Sequence, residues 1–141
     1  MTSVLIAEDA IRWLKNVLSR TWNAHWYQQR DQKLNRIKRT AEKWKDVPNP
    51  KDQQILTRLR IGHTWTTHYH RVQKTDRGET TCETCGVEKT VKHILESCRE
   101  YDDPRAEAEL DDDITVILCN EKKKEKRVLK FIKNCNLSNK I

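Results

Sequence analysis

Apolar side chains recur every three or four positions through the first part of the chain. Ile11, Leu14, Leu18, Trp22 and Trp26 mark one stripe of a helix running from Val4 to about Arg30, with Thr2 or Ser3 placed to cap its start. Leu34 and Ile37 prolong the pattern, and Arg30, Lys33, Arg36, Lys38 and Arg39 populate its polar side. Asp46-Val47-Pro48-Asn49-Pro50 breaks it, because two prolines exclude helical continuation. Asn49 then reads as an N-cap with Pro50 at the first helical position. The helix that follows carries Ile55, Leu56 and Leu59 inward, shows Arg58 and Arg60 outward, and stops at Gly62. His63 to Val72 fits neither period, and Lys74 to Gly78 reads as a turn.

Periodicity resumes beyond residue 90. Thr90 can cap a short helix from Val91 to about Glu100, and Asp103 another from Pro104 to about Leu110. Ile114 to Leu118 is an apolar run too short to separate strand from buried helix. Asp111-Asp112-Asp113 before it suits a helix start, where carboxylates complement the dipole. Asn120 can cap a last helix with Val128, Leu129, Ile132 and Cys135 inward and Lys122, Lys123, Lys126, Arg127, Lys130 and Lys133 outward. The pattern predicts a mainly α fold, a small helical assembly with an inserted knuckle-turn and helix. Its expected divisions are an amphipathic basic segment (1–47), a helix plus Cys/His module (50–118) and a basic C-terminal helix (119–141).

Composition narrows this further. Hydrophobic residues make up 35% of 141, so the core must be small and an extra fastener useful. No apolar run approaches a membrane span, and the first residues lack the charged and apolar regions of a secretory signal. An intracellular setting, nuclear or cytoplasmic, is therefore expected, with the five cysteines as ligands or free thiols. The formal charge of +7 is unevenly spread. Residues 1–81 hold 16 basic and 8 acidic side chains, residues 82–118 hold 4 and 11, and residues 119–141 hold 8 and 2. Basic blocks of this kind favour polyanions, because each neutralised phosphate releases condensed counterions.

One cluster carries chemistry. Cys82-Glu83-Thr84-Cys85-Gly86, then His93 and Cys98, gives the spacing C-x2-C-x7-H-x4-C. The glycine permits the positive φ of a knuckle turn, and the following helix supplies the histidine and last thiol. Three sulfurs and one imidazole suit tetrahedral zinc, one structural Zn2+ held by Cys82, Cys85, His93 and Cys98. Four protein ligands leave no position for a catalytic water. His63, His68 and His70 are weaker competitors, and Cys119 and Cys135 read as buried apolar residues. The span from Cys82 to Cys98 has no Phe, Trp or Tyr, and Glu83, Glu88 and Glu96 outweigh Lys89 and Lys92. The metal element thus reads as a fastener, and phosphate contact falls to Arg36, Lys38, Arg39, Arg58, Arg60, Lys122, Lys123 and Lys126. Trp44 and Trp65, beside basic sequence, are the tryptophans open to stacking on bases. Tyr101-Asp102-Asp103 has the letters of a polymerase aspartate pair, but Pro104 follows without a strand–turn–strand context.

Leu56-Thr57-Arg58-Leu59-Arg60-Ile61-Gly62-His63-Thr64, Thr67-His68, the Cys82/Cys85-Gly86 turn, Thr90-Val91, His93-Ile94-Leu95, and Cys98 with Tyr101 form a larger pattern. It resembles the C-terminal region of insect non-LTR retrotransposon polyproteins of the jockey type, most closely over residues 55–101. Trp22, Trp26, Lys33, Leu34, Ile37 and Lys38 resemble the joining segment before it. The resemblance implies handling of template RNA or target DNA, with Cys82, Cys85, His93 and Cys98 at the family's presumed ligand positions. The parent polyprotein is an RNA-directed DNA polymerase, but neither its polymerase aspartates nor a ribonuclease H acidic cluster appears here. The expectation is a non-catalytic, zinc-stabilised module that binds RNA or single-stranded or duplex DNA. The rival expectation is a scaffold whose Trp-rich first helix docks on a reverse transcriptase body or other partner, or an element remnant without function.

Overall fold

The computed structural model describes residues 2–67 and 81–141, with side chains from Ile6 onward. The expected turn at Lys74 to Gly78, together with His68 and His70, lies outside these residues. The protein is mainly helical, with no strand among the described residues. It divides into two compact units, Met1–Lys43 and Trp44–Ile141.

The first unit is built on α1 (Thr2–Gln28), which contains both Thr2 and Ser3 rather than starting after them. Its stripe does not continue into the next element. The chain turns at Gln29 to Asp31, where the Gln29 amide returns to the Trp26 carbonyl at 3.0 Å, and α2 (Lys33–Ile37) forms a separate short helix. Polar contacts hold α2 and its trailing strap to the end of α1. The Trp26 indole N–H donates to the Lys38 carbonyl at 2.9 Å, and the Ala41 amide donates to Asn23 Oδ1 at 2.7 Å. The side chain of Asn35, 1% exposed, donates to the Trp26 carbonyl. An isolated five-residue helix would melt, so these contacts, not propensity, keep α2.

The second unit opens with α3 (Pro50–Ile61). Asn49 caps it by accepting the Lys51 amide at 2.9 Å, and Pro50 takes the first turn, where its missing N–H costs nothing. Gly62 ends it at φ +80°, with the Gly62 and His63 amides closing on the Arg58 carbonyl. After the 68–80 segment come α4 (Val91–Glu96), a 3-10 turn (Arg99–Tyr101), α5 (Asp102–Ala108), α6 (Ile114–Ile117) and α7 (Lys122–Asn134).

Three of these elements differ from expectation. α4 ends at Glu96 because Ser97 leaves helical geometry and turns Cys98 back toward the other thiols. α5 starts at Asp102, and Pro104 is tolerated because the first-turn amides have no intrahelical acceptor. It stops at Ala108, where Glu109 takes a left-handed conformation (φ +52°) and the Leu110 amide closes on the Arg105 carbonyl. The run at 114–118 is helical, capped by Asp113, which accepts the Thr115 amide at 2.7 Å. Asn120 does not cap α7. Its side-chain oxygen accepts the Lys45 amide at 2.8 Å, and Glu121 stands at the N-cap without a side-chain capping bond.

α7 is central, packing against α3, α5 and α6. It contributes Val128, Leu129, Phe131 and Ile132 to a core shared with Leu56, Leu59, Leu95, Ile117 and Leu118. Phe131 meets Tyr101 edge to face, with ring centroids 6.1 Å apart. Each side chain buried here contributes about 1.5–3 kcal/mol, a supply limited by how few there are. The C-terminal basic helix is therefore core to the second unit and not a detachable segment.

Candidate metal centre and basic surface

The cysteine segment folds around its own sulfurs. The Cys82 amide donates to the Val87 carbonyl, and the Gly86 amide to the Cys82 carbonyl, each at 2.8 Å. Gly86 takes φ +71°, and a single antiparallel bridge between Thr81 and Glu88 closes the knuckle. α4 then delivers the histidine: Thr90 caps it by accepting the His93 amide at 3.0 Å. Val91, Ile94 and Leu95 bury the opposite face of α4, which fixes its rotation and hence the direction of His93.

The result is a single cluster. The donor atoms of Cys82, Cys85, His93 and Cys98 all lie within 4.8 Å of one another and could hold a metal ion. The sulfurs of Cys82 and Cys98 are 3.6 Å apart. That is too long for a disulfide and close to the roughly 3.8 Å expected between two sulfurs about 2.3 Å from a tetrahedral ion. Cys82 and Cys98 are fully buried, His93 is 9% exposed, and Cys85 is half-buried. The Arg99 amide points at Cys85 Sγ from 3.4 Å, a donor suited to a thiolate.

His93 tests the fit. Its Nδ1 lies 3.2 Å from Ser97 Oγ, whereas Nε2 is buried without a hydrogen-bond partner. A buried ring nitrogen without a partner carries a desolvation cost that coordination removes. The ring also acts on the neighbouring thiol: proximity to His93, working against burial, pulls Cys82 down to about 6, although the geometry stops short of a complete hydrogen bond. Burial pushes Cys98 the other way, to about 12, with the Cys82 charge adding to it. The protein alone thus favours one thiolate and penalises the next, an imbalance that a cation removes. Ser97 was missed in the sequence, although its place four residues after His93 on a helix face signals the contact.

The residues expected to touch phosphate separate into two groups. Arg60 is 4% exposed and its guanidinium is engaged inside the protein: it pairs with Glu125 at 2.8 Å, donates to the carbonyls of Leu118 (3.1 Å) and Cys119 (3.4 Å), and lies 3.9 Å over the Trp44 ring. It is a structural cation, and it covers one face of the Trp44 ring. Lys38, 8% exposed, donates its ammonium to the Glu42 carbonyl. Arg58 is exposed but donates to the Ile141 carbonyl at 2.6 Å. Arg36, Arg39, Lys122, Lys123 and Lys126 are exposed. Periodicity failed for Arg60 and Lys38 because it assigns any cation to the wet face.

The acidic middle of the chain explains the rest of α7. Asp111 pairs with Lys124, Glu109 with Arg127, and Lys130 donates to the Glu107 carbonyl. Lys124 beside Asp111 holds that carboxyl below its usual range. Lys133 leans toward Asp52 at 4.0 Å. A groove of about 310 Å3 lined by Asp52, Lys126, Leu129, Lys130, Lys133 and Asn134 is a poor phosphate seat, because the Asp52 carboxylate is part of its wall. Cys119 and Cys135 are half-buried, and burial raises both thiols. His63 is exposed and outside the cluster. No helix among the described residues is long and apolar enough to cross a membrane. Compared with protein-family models, curated proteins and solved structures, the chain matches none.

Proposed function

We propose that the chain is a non-catalytic module that binds one structural Zn2+ through Cys82, Cys85, His93 and Cys98 and uses it to hold a nucleic-acid-binding surface. Zinc suits the donor set better than harder cations, since three thiolates and an imidazole are soft to borderline ligands. Four such ligands complete a tetrahedral sphere, so the ion fastens the knuckle to α4 and carries out no reaction.

The observation that carries the nucleic-acid reading is at the start of α7. Lys122, Lys123 and Lys126 are exposed, and no ion pair among the described residues engages them, whereas Lys124, Arg127 and Lys133 of the same helix are drawn to acidic neighbours. Lys122 and Lys123 also stand at the positive end of the helix dipole, where each added cation costs about 0.3–1 kcal/mol. A cationic turn held against its own helix dipole serves an external anion better than it serves stability. Arg36 and Arg39 supply further exposed charge in the first unit. The same reading agrees with the resemblance to a retrotransposon polyprotein tail, whose substrate is RNA or DNA.

Fluorescence anisotropy with labelled RNA and single-stranded DNA at two salt concentrations tests this. Binding should weaken with salt, and the triple variant Lys122→Ala, Lys123→Ala, Lys126→Ala should lower the salt slope by about 2–3. No binding at low salt, or binding indifferent to the triple variant, overturns it.

A further inference from the structure

The first unit leaves its longest apolar feature bare. Ile11, Leu14 and Leu18 are each about half exposed, and Trp22 is 64% exposed. Asn23 and Trp26 are the α1 side chains tied to the strap after α2, so these contacts reach only the last two turns of the helix. Within the first unit the preceding turns form an amphipathic helix, which is marginal in water unless its face is covered.

The pattern on that face is self-complementary. Ala7, Ile11, Leu14 and Leu18 follow the four-three-four spacing of a coiled-coil seam, flanked by Ala10 and Val17 on one side and by Glu8, Lys15 and Trp22 on the other. We propose that α1 pairs antiparallel with α1 of a second copy of this chain. Ile11 then faces the partner's Leu14, and Leu18 faces the partner's Ala7, so large residues meet in the two central layers and a large residue meets a small one at each end. Charge selects the direction. Asp9 pairs with Arg12 within its own helix, leaving Glu8 and Lys15 on the flank. The antiparallel arrangement sets Glu8 within a turn of the partner's Lys15, twice by symmetry. A parallel pair sets Lys15 against the partner's Ala10 and stacks the two His25 side chains. Two copies of this short face make an interface at the small end of the specific range, so the pairing should depend on protein concentration.

Sedimentation equilibrium of the zinc-loaded full chain, from low to high micromolar concentration, tests the pairing independently of nucleic-acid binding. The expected mass at the upper end is twice that of the monomer. Leu14→Glu, at an exposed helical position, should return it to monomer while bound zinc stays unchanged. Glu8→Lys and Lys15→Glu should each weaken the dimer several-fold, and the double variant should restore it. A monomer at every concentration, or a dimer that survives Leu14→Glu, overturns the proposal. A dimer lost in Leu14→Glu but not restored by the charge exchange overturns the antiparallel arrangement.

Discussion

Replacing Arg60 by alanine removes a cation from the interior of the second unit and leaves its partner behind. The side chains of Arg60 and Glu125 are 3% and 4% exposed, so water does little to screen the pair. Truncation would strand the Glu125 carboxylate against the Leu118 and Cys119 carbonyls, which cannot donate to it, and uncover the Trp44 ring. Breaking a buried pair from one side costs about 3–5 kcal/mol, a large share of the roughly 5–15 kcal/mol available to a whole domain. For a unit of this size the melting temperature should fall by more than about 10 °C. Urea unfolding of the zinc-loaded chain, followed by far-ultraviolet circular dichroism, measures it, with Arg58→Ala as the exposed control expected to lose less than about 1 kcal/mol. Arg60→Met combined with Glu125→Leu should recover most of the loss, because exchanging both charges for apolar volume removes the stranded group. An Arg60→Ala loss no larger than that of Arg58→Ala, or a paired variant no better than the single one, refutes the reasoning.

Four further outcomes follow from the metal centre. Zinc must displace thiol protons, so its apparent affinity should rise between about pH 6.5 and about pH 8 in a competition titration with a chromophoric chelator, and a flat profile would exclude thiolate ligation. In the metal-free chain the lowered Cys82 favours folding above its ordinary 9.0, an advantage lost as pH falls through about 6; the raised Cys98 favours folding below 9.0 and loses that advantage as pH climbs toward 12. Gly86→Ala should cost about 1–2 kcal/mol through its positive φ alone. A Cβ there would meet nothing within 4 Å, so Gly86→Asn should cost less, as thermal melts of the two variants would show. Thr90→Ala uncaps α4 and should lose about 0.5–2 kcal/mol together with some zinc affinity, and unfolding and chelator competition on one preparation would detect both.

The division of charge along the chain has a structural consequence. Two of the acidic residues between 102 and 113 are tied into the fold: Asp111 and Glu109 hold Lys124 and Arg127 of α7. Such exposed or half-exposed pairs contribute at most about 1 kcal/mol each. Their larger effect is to withdraw these cations from any ligand, which concentrates the available charge on the first turn of α7.

Local grammar was readable from the residues alone. Asn49, Pro50 and Gly62 bound α3 because caps and breakers act within a few residues. The order Cys-x2-Cys-Gly, Thr90, His93, Cys98 places four donor side chains together because a knuckle turn and one helical turn span the whole cluster. Tertiary packing decided what long-range contact controls. Nothing near Arg60 in the chain announces that Glu125, 65 positions later, will draw it inside. The stripe on α1 and the stripe on α7 obey one helical period, yet α7 lies in a core and Ile11, Leu14 and Leu18 of α1 meet water. Periodicity states that a face is apolar; what covers it depends on which neighbours the rest of the chain brings within reach.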